Sequence, residues 1–299
     1  MLLPPTIIIL GGENVFHDSY QSVIQDKFDI LCKTNEPKII IVGGSSNAFG
    51  INQDMLKQAT GYEIVNLGLH AGFGCLFISE LAKANINPGD IVLLGYEYDW
   101  INDTAFTEIG TDLIMSGIDE EIDMYRYIPI NKYPTMIGYL YKFANVKSNY
   151  ISEGGMYSRA SFDKTSFQCI YPRTETLDYD FDKYVGIEIS GDYISEKSIK
   201  YLKEYKQFIE QGGASVYFIA PPLHRNAIKN DILEFDKIKQ LEEKYIGIEY
   251  ISNPLEYILD GDYFCDSMYH CNDEGELLRT ELLIEDLKTV GINRDDLLN

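Results

Sequence analysis

Residues 38–50 read KIIIVGGSSNAFG. Four branched apolar residues in a row, Ile39, Ile40, Ile41 and Val42, predict a strand buried on both faces, and they run straight into Gly43-Gly44-Ser45-Ser46. A buried strand that ends in two glycines and two serines can present a hydroxyl at the carboxyl edge of a sheet, where open α/β sheets bind their ligands. The same residues also read as an ordinary turn into a helix, with Ser45 or Ser46 as its N-cap.

The pattern around this stretch repeats. Residues 63–67 read as a second strand that ends in the glycine-punctuated turn 68–74, residues 75–85 have helical spacing, and residues 91–94 form a third buried strand leading into Gly95-Tyr96-Glu97-Tyr98. Helices are expected at 18–32 and 52–60, and a short strand or apolar tether at 6–10. Strand, helix, strand, helix, strand with short turns predicts a parallel sheet with right-handed crossovers. The pattern dissolves over 101–194, which is acidic early and aromatic later, and too long for a plain loop. It reads as an insertion that packs over the strand ends as a cap or substrate-binding element, with ordinary helices of the main fold as the alternative. A helix at 195–211, a strand at 214–220, a helix at 231–244, a strand at 247–251 and a closing amphipathic helix at 273–290, capped by Asp273, then resume the α/β order.

Composition limits the partners. The 299 residues include 25 basic and 47 acidic side chains, a formal net charge of −22, so a nucleic-acid backbone or an anionic membrane surface would be repelled. Apolar residues make up 45%, enough for a globular core, and 23 tyrosines offer flat faces with hydroxyls that suit carbohydrate or protein surfaces. Cys32, Cys75, Cys169, Cys265 and Cys271 are odd in number and lack a C-x-x-C pair, which indicates neither a disulfide framework nor a structural zinc site and favours a reducing compartment. The apolar start is short and broken by Pro4 and Pro5, so the chain as given reads as soluble, either cytoplasmic or the soluble part of an envelope protein anchored by a longer N-terminus.

A serine hydroxyl needs an imidazole to take its proton and a carboxylate to fix the imidazole's tautomer. Of His17, His70, His224 and His270, only His270 has a carboxylate, Asp266, a few residues away in a loop before the last helix. That loop lies at the same sheet edge as the first turn, so Ser46, His270 and Asp266 can meet. His70 and His224 are candidates to line a substrate pocket, each with a structural role as the alternative. Gly43-Gly44 lacks the Lys-Ser/Thr of a nucleotide loop and the G-x-G-x-x-G of a dinucleotide site. The acid pair Glu120 and Glu121 reads as a solvated face.

These blocks resemble the SGNH hydrolase (GDSL-like) superfamily, in particular members tied to bacterial polysaccharide acylation and deacylation. Gly44-Ser45-Ser46 resembles the Gly-Asp-Ser turn, with Ser46 as nucleophile and Ser45 in the place of Asp. Asn66-Leu67-Gly68-Leu69-His70-Ala71-Gly72 resembles the second block, and Asp266-Ser267-Met268-Tyr269-His270-Cys271-Asn272-Asp273-Glu274-Gly275 the last. The resemblance implies a single domain over 1–299, a three-layer α/β/α sandwich of flavodoxin-like type with 101–194 as its cap. It also implies a serine esterase acting on a carbohydrate O-acyl ester, an acetyl group above all, with no cofactor or metal. An O-acetyltransferase of polysaccharide assembly and a non-catalytic carbohydrate-binding protein are the alternatives. Two departures stand out. Glu97 occupies the place of the Asn that donates to the oxyanion, leaving the amides of Ser46 and Gly72 or Gly68, helped by the Asn47 side chain; Glu97, His224, His70 and Ser45 would then line the pocket. Asp266 stands four residues before the His rather than three, which makes Asp262 a secondary candidate to orient it.

Overall fold

A computed structural model describes residues 15–98, 110–119, 121–180, 186–188, 195–229 and 231–293. The expected segment at 6–10 and Glu120 lie outside the described residues.

The sheet is built on β1 (Lys38–Gly43), every residue of which is buried. It pairs in parallel with β2 (Glu63–Asn66) on one side and β3 (Ile91–Gly95) on the other; β4 (Ser215–Phe218) follows β3. Beyond β5 (Leu223–His224), the edge strand β6 (Glu249–Tyr250) completes a five-stranded parallel order β2-β1-β3-β4-β6. β5 pairs separately, and in parallel, with β7 (Ile258–Leu259).

Alternation along β1 creates the layers. Ile39 and Ile41 enter a core with Leu56, Leu283 and Leu287, while Ile40 and Val42 enter the opposite one with Ile24, Leu31, Phe77 and Leu81. Among the described residues the helices are, in chain order, α1 (Val23–Lys33), α2 (Ser45–Gly50), α3 (Gln53–Thr60), α4 (Cys75–Ala82), α5 (Thr111–Gly117), α6 (Tyr133–Asn149), α7 (Glu196–Gln211), α8 (Asp236–Ile246) and α9 (Asp273–Thr289). α3 and α9 supply the first core, and α1, α4 and α7 the second. The result is the expected three-layer α/β/α sandwich of flavodoxin-like type.

Local departures have local causes. The first described helix starts at Val23 rather than 18, and the strand expected at 247–251 narrows to two residues. Asp273 does not cap α9: Asn272 does, its side chain accepting the Gly275 N–H at 2.9 Å. Asp273 is drawn instead into an ion pair with Arg173.

Residues 110–180 carry α5, α6 and irregular chain that meets the carboxyl edge of the sheet. The Gly110 N–H reaches Gly72 O at 2.8 Å, the Arg173 guanidinium reaches Phe49 O at 2.8 Å, and the Leu177 N–H reaches Phe264 O at 2.8 Å. Among the described residues no helix is long and apolar enough to cross a membrane, and no group of three or more His, Cys, Asp or Glu is placed to hold a metal ion.

Candidate active site

At the end of β1 the chain closes on itself so tightly that side chains are excluded. A Cβ on Gly43 would lie 2.2 Å from Gly95 O, and one on Gly44 would lie 2.4 Å from both carboxylate oxygens of Glu97. The helix α2 then begins at Ser45, and Ser45 and Ser46 diverge by the helical turn of about 100°.

Ser45 faces outward to the base. Its Oγ lies 2.8 Å from His270 Nε2, and His270 Nδ1 lies 2.7 Å from Asp266 Oδ1. Ser46, expected as the nucleophile, points inward: it is fully buried and its Oγ has no hydrogen-bond partner. The correction follows from where the helix starts, because Gly43-Gly44-Ser45 satisfies a glycine-x-serine turn as well as Gly44-Ser45-Ser46 does. The carboxylate against His270 Nδ1 is that of Asp266 and not the secondary candidate Asp262, whose backbone carbonyl accepts the Asn272 side chain at 2.7 Å.

The His270 ring is fixed on several sides. Phe49 stacks on it at 4.2 Å with an interplanar angle of 8°, and Arg173 lies over the other ring of that pair, 5.4 Å from the Phe49 centroid. Arg173 is itself held by ion pairs to Glu276 and Asp273. Tyr157 donates its hydroxyl to Asp266 Oδ2 and sits 3.2 Å from His270 Nδ1. Burial raises the Asp266 carboxyl, but hydrogen bonds from His270 and Tyr157 outweigh it and hold the group below its ordinary value.

Below the serine lies a buried polar lattice. The Arg279 guanidinium, wholly buried, donates to Ser46 O at 2.5 Å and Asn47 Oδ1 at 2.9 Å. The Asn47 amide donates to Gly95 O at 2.8 Å, and the Asn66 amide to Asn47 O at 2.9 Å. Lys27 Nζ reaches Asn66 O at 2.8 Å and Ser166 O at 3.1 Å, joining the end of β2 to residues 110–180.

This lattice occupies the groups expected to face an oxyanion. The Ser46 N–H donates to Glu97 Oε1 at 3.0 Å, the Gly68 N–H to Asn66 Oδ1 at 2.9 Å, and the Gly72 N–H to His70 Nδ1 at 2.8 Å, while Asn47 is tied to Gly95 and Arg279. The Ser45 N–H differs: like the Ser46 N–H it has no carbonyl one turn back in the helix, but no side chain of the described residues takes it as Glu97 takes that of Ser46. A small cavity of about 10 Å³ at the preceding Gly43-Gly44 is lined also by His70, Ala71 and Glu97, among others.

The pocket residues separate in the same way. His70 keeps a surface open to solvent, yet the protein atoms crowded around its ring partly desolvate it and, with the neighbouring His270, lower its basicity; it borders a cavity of about 360 Å³ shared with Tyr20, Tyr139, Tyr150 and Tyr157. Glu97 is buried beneath Gly44. His224, expected to line the pocket, is instead packed inside the protein: it is 1% exposed, lies 3.1 Å from Leu177 O through Nε2, and sits between Tyr179 and Phe264.

Tyr157, Phe49, Arg173 and Arg279 were not foreseen. Arg279 leaves a trace in the sequence, since it falls on the buried face of α9 with Glu276, Thr280, Leu283 and Leu287 at helical spacing. Tyr157 leaves none, being one aromatic among many in its segment.

No protein-family model matches this sequence, and no curated protein matches it. Among solved structures the chain is similar to the protein YxiM from Bacillus subtilis, at 14% identity and a TM-score of 0.39. The match covers 86% of this chain but 57% of that one. A likeness of this degree says nothing about activity, which rests on the residues of the site.

Proposed function

We propose that the protein is a serine-dependent ester hydrolase in which Ser45, not Ser46, is the nucleophile. The observation that carries this reading is the unbroken line Ser45 Oγ, His270 Nε2, His270 Nδ1, Asp266 Oδ1, with contacts of 2.8 and 2.7 Å.

In this mechanism His270 Nε2 takes the Ser45 proton as Oγ attacks an ester carbonyl, and Asp266 holds Nδ1–H and the imidazolium that forms. The tetrahedral intermediate collapses as His270 returns the proton to the departing alcohol. Water then attacks the acyl-serine with His270 again as base, which releases the acid and restores Ser45. The oxyanion is held by the Ser45 amide together with the Ala71 segment that lines the small cavity beside Gly44. Glu97 acts from behind, taking the Ser46 N–H and filling the space where residue 44 would otherwise carry a side chain. Relative to the resembled family, the carboxylate has moved from the serine turn to the end of β3.

The substrate proposed is an acylated carbohydrate, with residues 110–180 as the cap. The tyrosine-lined cavity between cap and sheet edge supports it, since such rings pack against sugar faces while their hydroxyls bond to the polar rim. The test compares wild type with Ser45→Ala and Ser46→Ala on 4-nitrophenyl acetate and on acetylated oligosaccharides. Ser45→Ala is expected to lose on the order of a thousandfold or more in kcat and Ser46→Ala only a few-fold at most. Equal rates for wild type and Ser45→Ala would sink the proposal. Acetate released to water, rather than moved to an added glycan, marks hydrolysis over transfer.

A further inference from the structure

Tyr157 reaches the site from outside the sheet, at the end of the turn Gly155–Tyr157. Its ring meets Tyr20 edge-on at 5.6 Å and lies 5.8 Å from Phe49, the ring that stacks on His270. Asp266 is therefore held at both oxygens, Oδ1 by His270 and Oδ2 by the Tyr157 hydroxyl. The same ring lines the 360 Å³ cavity.

We infer that Tyr157 is a positioning residue for His270: its hydroxyl turns Asp266 Oδ1 toward Nδ1 and, by drawing off part of the carboxylate's charge, sets the pH at which His270 serves as a base. This rests on the hydrolase reading above. Two effects of the hydroxyl on His270 oppose each other. Its bond to Asp266 weakens the carboxylate's hold on the imidazolium, whereas its oxygen, 3.2 Å from Nδ1, favours the cation. The first is a hydrogen bond to a full charge and the second a long contact with a neutral dipole, so the first dominates. Burial and Asp266 push the Tyr157 phenol far above its ordinary value, so it remains a donor throughout the working range. Among the described residues, the other titratable or charged groups near the pair are His70, Cys265, Tyr20 and Arg173. All of them are retained when only the hydroxyl is removed.

Tyr157→Phe keeps the ring and its packing. With 4-nitrophenyl acetate it is expected to lower kcat about tenfold at unchanged KM, and to move the acid limb of the kcat/KM profile to higher pH by about half a unit. An NMR titration of the His270 ring, assigned with His270→Gln, is expected to move upward by a similar amount and needs no turnover. A His270 titration that stays in place or moves down overturns the inference, as does a slower enzyme with an unmoved pH profile, which is what a merely structural tyrosine would give. If Ser45→Ala keeps wild-type turnover, the hydrolase reading fails by itself, and the NMR titration still decides the role of Tyr157.

Discussion

Ser45 and His270 stand 2.8 Å apart but are held by different means. On the serine side the work is done by backbone closure and a buried lattice: Gly43 against Gly95, Gly44 against Glu97, and Arg279, Asn47, Asn66 and Lys27 bonded in series beneath the turn. On the histidine side it is done at the rim by side chains, with Asp266 and Tyr157 bonded to the ring and Phe49 stacked on it. A buried lattice makes the position of the hydroxyl part of the folding equilibrium. A partly exposed set of side chains at the rim can be altered with less disturbance of the core. Substitutions on the first side should therefore cost stability and activity together, and those on the second chiefly activity, with a smaller loss of stability.

The largest expected effect tests the histidine side. Asp266→Asn leaves the packing in place but can no longer fix the His270 tautomer or stabilise the imidazolium, so kcat should fall on the order of a thousandfold or more while the thermal midpoint stays near that of wild type. A comparable loss of stability would erase the distinction between the two sides. Gly44→Ala is the matching probe of the serine side, since the new methyl meets the Glu97 carboxylate at 2.4 Å. Urea unfolding should report a loss of about 1–3 kcal/mol, accompanied by a severe fall in turnover.

Lys27 gives the lattice a pH signature. Burial lowers its pKa from 10.5 to about 7, so between about pH 7 and 10.5 the unfolded chain binds a proton there that the folded chain does not. Stability then rises with pH across that window. Lys27→Met should flatten this rise relative to wild type in urea melts taken at pH 7 and pH 9.5; identical slopes would mean that the ammonium is not held as described. Asp266 slopes the same way in a more acidic window, because its depressed value gives stability that is present above the ordinary carboxylate range and lost as pH falls through the folded value. The smallest effect is expected at Ser46. Removing a buried hydroxyl that has no partner should shift stability by no more than about 1 kcal/mol, measured by the same melts.

Much of this architecture was legible in the residues. Apolar runs bounded by glycines located β1, β2 and β3, because a strand buried on both faces has no polar alternation to conceal it, and their order announced a parallel sheet. The pairing of His270 with Asp266 could also be read, since four residues of one loop keep the two side chains within reach.

The sequence by itself thus determined the sheet, the edge on which the candidate site is built and the pairing of His270 with Asp266, all of which depend on local pattern or short separation. Only the tertiary structure decided which serine faces the base, because adjacent hydroxyls are told apart by the residue at which the helix starts. It alone showed that Gly68 and Gly72 spend their amides internally and that His224 is a core residue. It alone brought Tyr157 to Asp266 across 109 residues and Arg279 to Ser46 across 233. Contacts at such separations are set by how the layers pack, and a single sequence carries no local signal of them.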